Sequence, residues 1–231
     1  MSSTIAEKLN NVRQQITDFA EQREQFQHPV QLIAVSKTHP PQAITEAWQA
    51  GQRHFGENYA QEAVDKAQQL THLDGICWHF IGPLQSNKTR PIAESMDWVH
   101  SVDREKIARR LNQQRPEGMP ALNVLVQVNI DGDPNKSGLV ADQIQPLLDF
   151  CQRAENLTLR GLMTILEGTD DEQAQHHSFK QMRELFERYQ PQYENFDSLS
   201  MGMSGDMRQA ILEGANMVRI GTAIFGKREY L

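Results

Sequence analysis

The chain has 231 residues, 39% of them apolar and 23% charged, with a formal net charge of −7. This composition is that of a globular protein, and the length suits one large domain over residues 1–231 rather than two. The acidic balance argues against general binding of nucleic acid or anionic membrane. With no bilayer-length apolar run and no basic-then-apolar leader, a cytoplasmic location is expected.

The first element is a helix. Thr4 with Glu7 three residues later forms a capping box, and Ile5, Leu9, Val12, Ile16 and Phe19 recur at helical spacing to give one apolar stripe. Strands and helices then alternate. The spacing predicts strands over Gln31–Ser36, His54–Glu57, Trp78–Ile81, Trp98–Ser101, Asn123–Asn129, Leu159–Thr164, Ser198–Met201 and Met217–Ile220. Most are near-continuously apolar, the pattern of parallel strands covered on both faces. Amphipathic stretches lie between them, for example Ile44, Ala47 and Trp48, then Phe179, Met182, Leu185 and Phe186. Gly51 and Gly214 stand where helices should stop. Eight strands alternating with helices predict an α/β fold, a single (β/α)8 TIM-type barrel with an extra N-terminal helix. A doubly wound open sheet is the competitor, weakened because no Gly-rich fingerprint follows the first strand.

Barrel active sites lie at the C-terminal ends of the strands. Lys37 follows the buried run Leu32–Val35, where desolvation lowers an amine's pKa and makes it a partner for an aldehyde; the alternative is a solvated loop lysine. Arg219 interrupts an apolar strand and should point into the barrel mouth, toward a ligand or a structural carboxylate. Ser204-Gly205-Asp206 and Gly221-Thr222-Ala223 are small turns after strands seven and eight, where barrels commonly bind phosphate. An amine for an aldehyde, a guanidinium for a ring and a nest for a phosphate thus share one rim.

Other polar residues carry less. Cys77 and Cys151 lack disulfide or metal-ligand spacing and read as two apolar thiols. His79, between Trp78 and Phe80, reads as a satisfied core histidine, and His176-His177 as part of a polar helix face. No metal site is expected.

Five blocks together resemble the pyridoxal phosphate homeostasis protein family: Ala34–Thr38, Phe55–Tyr59, Trp78–Lys88, Leu199–Ser204 and Met217–Gly226. The resemblance spans nearly the whole chain, and the family is similar to the barrel domain of alanine racemase standing alone. It implies a pyridoxal 5′-phosphate (PLP) cofactor. Lys37 would carry it as an internal aldimine, with Arg219 facing the pyridine nitrogen and Ser204, Gly221 and Thr222 cradling the phosphate. Asn58 would line the ring and Ser200 would lie close by. The His79–Lys88 block matches a family hallmark whose role the sequence does not explain.

The departures from alanine racemase point to a carrier. An arginine donates to the ring nitrogen without protonating it, which weakens the ring as an electron sink. The racemase's tyrosine comes from a second domain, and none is expected after the last strand; Tyr59 and Tyr230 are the nearest substitutes, and neither matches. After Gly161-Leu162-Met163-Thr164, where the racemase places a histidine, stands Ile165. The expectation is a monomeric PLP-binding protein that stores, buffers or delivers the cofactor to apoenzymes and is not an enzyme. A PLP-dependent amino-acid racemase and a cofactor-free Schiff-base aldolase are the alternatives.

Overall fold

The computed structural model describes residues 3–23, 28–166 and 168–226. Eight parallel strands close into a barrel in chain order: β1 (Gln31–Val35), β2 (His54–Glu57), β3 (Cys77–Phe80), β4 (Trp98–Val102), β5 (Leu122–Gln127), β6 (Leu157–Met163), β7 (Ser198–Ser200) and β8 (Met217–Ile220). Pairing of β1 with β8, with Ile33 opposite Arg219, closes the ring and excludes the open sheet. The predicted bounds of β2 and β8 match these, and the others differ by one or two residues at their ends. Ser36 and Met201 fall just outside β1 and β7 because each continues the ladder by one bond, Ser36 N–H to Gly56 O at 3.0 Å and Met201 N–H to Met217 O at 3.2 Å.

Helices α1 (Ile5–Glu21), α2 (Pro41–Gln49), α3 (Ala60–Gln69), α4 (Thr89–Ser95), α5 (Glu105–Gln114), α6 (Gln145–Arg153), α7 (Glu172–Tyr189), α8 (Met207–Leu212) and α9 (Thr222–Phe225) surround the barrel. The capping box of α1 is formed: Glu7 N–H donates to Thr4 Oγ1 at 3.2 Å and Thr4 N–H to Glu7 Oε2 at 2.8 Å. Its stripe buries Leu9, Val12 and Ile16, and the helix packs against α2, α8 and α9 across the β8–β1 side. Each such side chain taken from water contributes about 1.5–3 kcal/mol. Gly51 and Gly214 adopt φ of +84° and +95° just past α2 and α8, the left-handed conformation that stops a helix. No helix among the described residues is long and apolar enough to cross a membrane.

Most of the apolar core lies between strands and helices. The inside of the barrel is smaller and mixed. Ile33, Trp98, Leu125, Met163 and Met217 form an apolar cluster there. Beside it the interior holds His79, His100, Ser200 and Arg219, all buried. Barrel interiors are ordinarily filled by Val, Ile and Leu, so a buried polar column must satisfy its own hydrogen bonds.

Candidate functional site

A cavity of about 540 Å³ opens at the C-terminal rim of the barrel. Lys37, Asn58, Ser204, Arg219, Gly221 and Thr222 all line it. Ser200 does not reach the cavity wall but holds Arg219 from below. The walls also include Val35, Ile81, Pro83, Ile165 and Met203, with Gln127, Lys136 and Ser137 on the β5 side. The loop that carries Lys136 folds back over the rim through the Val128–Leu139 bridge. Lys136 Nζ is paired with Asp131 at 3.1 Å.

Lys37 is set by a network that the sequence did not reveal. Beneath it, Lys66 on α3 is buried and donates to Ser36 O at 2.7 Å, Glu57 Oε1 at 2.8 Å and Glu62 Oε1 at 2.7 Å. Ser36 Oγ donates to Glu57 Oε1 at 2.6 Å, and Thr38 N–H donates to Glu62 Oε1 at 2.6 Å. Both neighbours of Lys37 are therefore clamped to one ammonium and two carboxylates. Thr38 is held at φ +66°, a costly conformation for a β-branched residue that persists only where its surroundings enforce it. Burial raises the Glu57 carboxyl above its ordinary range, with Lys66 and Ser36 offsetting part of that rise.

Arg219 points inward, as strand periodicity predicted. Of its two expected partners, a structural carboxylate is not the one it has: its guanidinium donates to Ser200 Oγ at 2.7 Å and to Thr164 O at 2.8 Å. Burial lowers its pKa to about 10, with Asp206 pulling back, so it remains charged at neutral pH. Behind Ser200 a column of imidazoles runs down the barrel. His100 Nδ1 lies 2.9 Å from Ser200 Oγ, His79 Nδ1 2.9 Å from His100 Nε2, and His54 Nδ1 2.9 Å from His79 Nε2. A guanidinium only donates. The assignment that gives every group a partner therefore sends the Ser200 hydrogen to His100, the His100 Nε2 hydrogen to His79, and the His79 Nε2 hydrogen to His54. His79 is the satisfied core histidine expected, and Trp98 stacks on it at 5.4 Å.

The β7 and β8 side of the cavity, next to β1, is built from the two glycine turns. Asp206 Oδ1 accepts the Met203 N–H at 2.5 Å and fixes the β7 turn, leaving Ser204 exposed at the rim. Thr222 begins α9, also exposed. Ser204, Gly205, Gly221 and Thr222 line the same space as Arg219 and Lys37.

The His79–Lys88 block acquires a structural account. A Cβ on Gly82 would collide with the Asn58 carbonyl, so only glycine lets the loop after β2 pass there and present Asn58 to the cavity. Ser101 Oγ donates to Gly82 O at 2.5 Å and Arg104 donates to Leu84 O at 3.1 Å, pinning the segment to β4 and the start of α5. Gly82→Ala should cost about 1–3 kcal/mol by overpacking. Gly205→Ala, where a Cβ meets open space, should stay within about 0.5 kcal/mol of the parent. Urea midpoints of the two variants decide this, and equal midpoints would refute the packing argument.

Tyr59 is half exposed and is not among the residues lining the cavity, and Tyr230 lies outside the described residues. Among the described residues lining the cavity there is no Tyr, His, Cys, Asp or Glu. Ile165 supplies apolar wall at the position where a histidine would stand in the racemase.

A parallel barrel carrying a lysine after its first strand and an arginine on its last falls in a recognised class. Residues 8–229 match the family described as alanine racemase, N-terminal domain. Curated relatives named pyridoxal phosphate homeostasis protein include those of Vibrio cholerae, 51% identical over 98% of both chains, and Pseudomonas aeruginosa, 51% identical over 99% of this chain and 97% of that one. Among solved structures, PipY of Synechococcus elongatus with PLP bound is 39% identical, with a TM-score of 0.84, over 96% of this chain and 100% of that one. Alanine racemase from Corynebacterium glutamicum shares the fold at 17% identity and a TM-score of 0.69, over 98% of this chain and 61% of that one. The chain belongs to the pyridoxal phosphate homeostasis protein family.

Proposed function

We propose that this chain binds PLP in the rim cavity, linked to Lys37 as a Schiff base, and manages the cofactor's intracellular level without turning over a substrate. The observation that carries the reading is the composition of the cavity wall. Among the described residues it offers an amine, a buried guanidinium with no paired carboxylate, two hydroxyl-bearing turns and an apolar surround, and no second acid–base side chain besides the paired Lys136. Those donors fit an aromatic aldehyde phosphate. When bound, PLP supplies an electron-withdrawing ring conjugated to the amine it holds.

The roles divide by chemistry. Lys37 takes the aldehyde, its backbone fixed through Ser36 and Thr38. Arg219, oriented by Ser200 and Thr164, donates to the pyridine nitrogen and stays charged. Ser204, Gly221 and Thr222 receive the phosphate, and Asn58 borders the ring. A group on the face opposite Lys37 would be needed to exchange an α-proton; Ile165 offers none. The reading extends to delivery to apoenzymes by a monomer in the cytoplasm, in keeping with relatives named for homeostasis rather than for a reaction.

The test is optical. The protein as purified should absorb as a PLP imine, and borohydride should fix the label to the Lys37 peptide. Lys37→Ala should lose the imine band yet keep phosphate-anchored binding, weakened roughly 100-fold, about 2.7 kcal/mol. Label on another lysine would overturn the assignment of Lys37. Rapid loss of optical activity from a single-enantiomer amino acid would favour the racemase, and colourless protein that gains no band with added PLP would favour the aldolase.

A further inference from the structure

We propose that the N-terminal end of the barrel holds a zinc(II) site formed by His54, Cys77 and His79, at the far end of the imidazole column from the rim cavity. The three donor atoms lie within 4.8 Å of one another. Cys77 Sγ is 3.4 Å from His79 Nε2, and His54 Nδ1 is 2.9 Å from the same nitrogen. A tetrahedral zinc with Zn–N of about 2.05 Å and Zn–S of about 2.3 Å needs separations of about 3.6 Å and 3.4 Å. The S–N pair is already within about 0.2 Å of that, and the imidazoles need to part by about 0.5 Å.

Three further features fit a metal. One thiolate with two imidazoles is a borderline-soft set that suits zinc over calcium or magnesium. The bridging ligand is oriented from behind: His79 Nδ1 meets His100 Nε2, and Trp98 stacks on the ring. An outer partner of this kind is what metal-ligating histidines ordinarily have. His54 and Cys77 are only half-buried, which gives an entry path from the base of the barrel, while His79 is fully buried. A fourth position would take water. Coordination breaks the Cys77 S–H bond, forms Zn–S and sends the proton to solvent. It also moves the His79 hydrogen to Nδ1, so the column then donates toward Ser200, whose oxygen accepts from both His100 and Arg219.

The site is independent of the cofactor reading. The test is equilibrium dialysis of the whole chain against zinc(II) with a competing chelator, followed by elemental analysis. Cobalt(II) is the spectroscopic probe, because its tetrahedral visible bands lie to the red of an imine chromophore. Wild type should hold one equivalent and give those bands. Cys77→Ser and His54→Gln should each weaken binding at least 100-fold, and His176→Gln on α7 should bind as wild type. Less than a tenth of an equivalent in wild type would overturn the proposal. So would unchanged binding in Cys77→Ser, or in His54→Gln if the cysteine variant fails to fold.

Discussion

Replacing Lys66 with Met should cost about 3–5 kcal/mol of stability, far more than a surface helix lysine would. Lys66 and Glu62 are four apart on α3, a spacing that normally marks an exposed pair worth a few tenths of a kcal/mol. Here the ammonium is buried and joins a second, fully buried carboxylate, Glu57. One Glu57 oxygen already has no hydrogen-bond partner among the described residues. Removing the ammonium leaves that carboxyl without its cation and takes one of two donors from the Ser36 carbonyl, which keeps the His39 N–H. The double variant Lys66→Met/Glu57→Gln removes both charges and should recover at least half of the loss. PLP affinity should stay low in both, because the Lys66 tie between Ser36 and the two carboxylates is gone either way, while the Thr38 N–H bond to Glu62 remains. Denaturant titration and cofactor titration separate the two effects. A single variant within 1 kcal/mol of the parent would show that the network is not the support described above.

The second large effect is acid destabilisation. His79 and His100 are buried with pKa values held well below the ordinary 6.5, by desolvation first and then by His100 and His54 around His79, and by Arg219 beside His100. The unfolded chain takes up those protons near pH 6.5 and the folded chain does not. Their contribution is therefore complete above about pH 6.5 and is lost as pH falls toward the depressed folded values. Two such groups give a slope of about 2.7 kcal/mol per pH unit below that point, since one proton contributes about 1.36. His54, lowered by burial and partly restored by Asp97, adds to the slope. Burial raises the Glu57 and Asp206 carboxyls, so these act in the opposite sense nearer the carboxylate range. The slope is best read between about pH 6.5 and 5.5 on protein stripped of metal with a chelator. His79→Gln should roughly halve it. A urea midpoint that stays flat across that interval would show that the column accepts protons inside the folded barrel.

Cys77 shows why tertiary placement matters. By spacing along the chain it is an isolated thiol, and Cys151 is one: it is fully buried, although burial pushes both thiols up to about 12. Cys77 instead is half-buried against His79, two residues on along β3, and near His54, directly across the ladder on β2. His54 and His79 are 25 residues apart, and His79 and His100 are 21 apart. No local pattern joins them. The same holds for Arg219, whose acceptors lie 19 and 55 residues away.

What lay in the sequence alone was the barrel and the membership of its rim. Parallel strands buried on both faces leave apolar runs that can be counted, and the C-terminal end of each run fixes which side chains share the mouth; Lys37, Asn58, Ser204, Arg219, Gly221 and Thr222 do meet there. Only the tertiary structure decided what stands beneath that rim: the ammonium under Lys37, the serine under Arg219 and the imidazoles below. Periodicity along a chain records which face of an element is buried. Which neighbour a buried side chain meets is set by lateral register around the closed ring, and that depends on all eight strands at once.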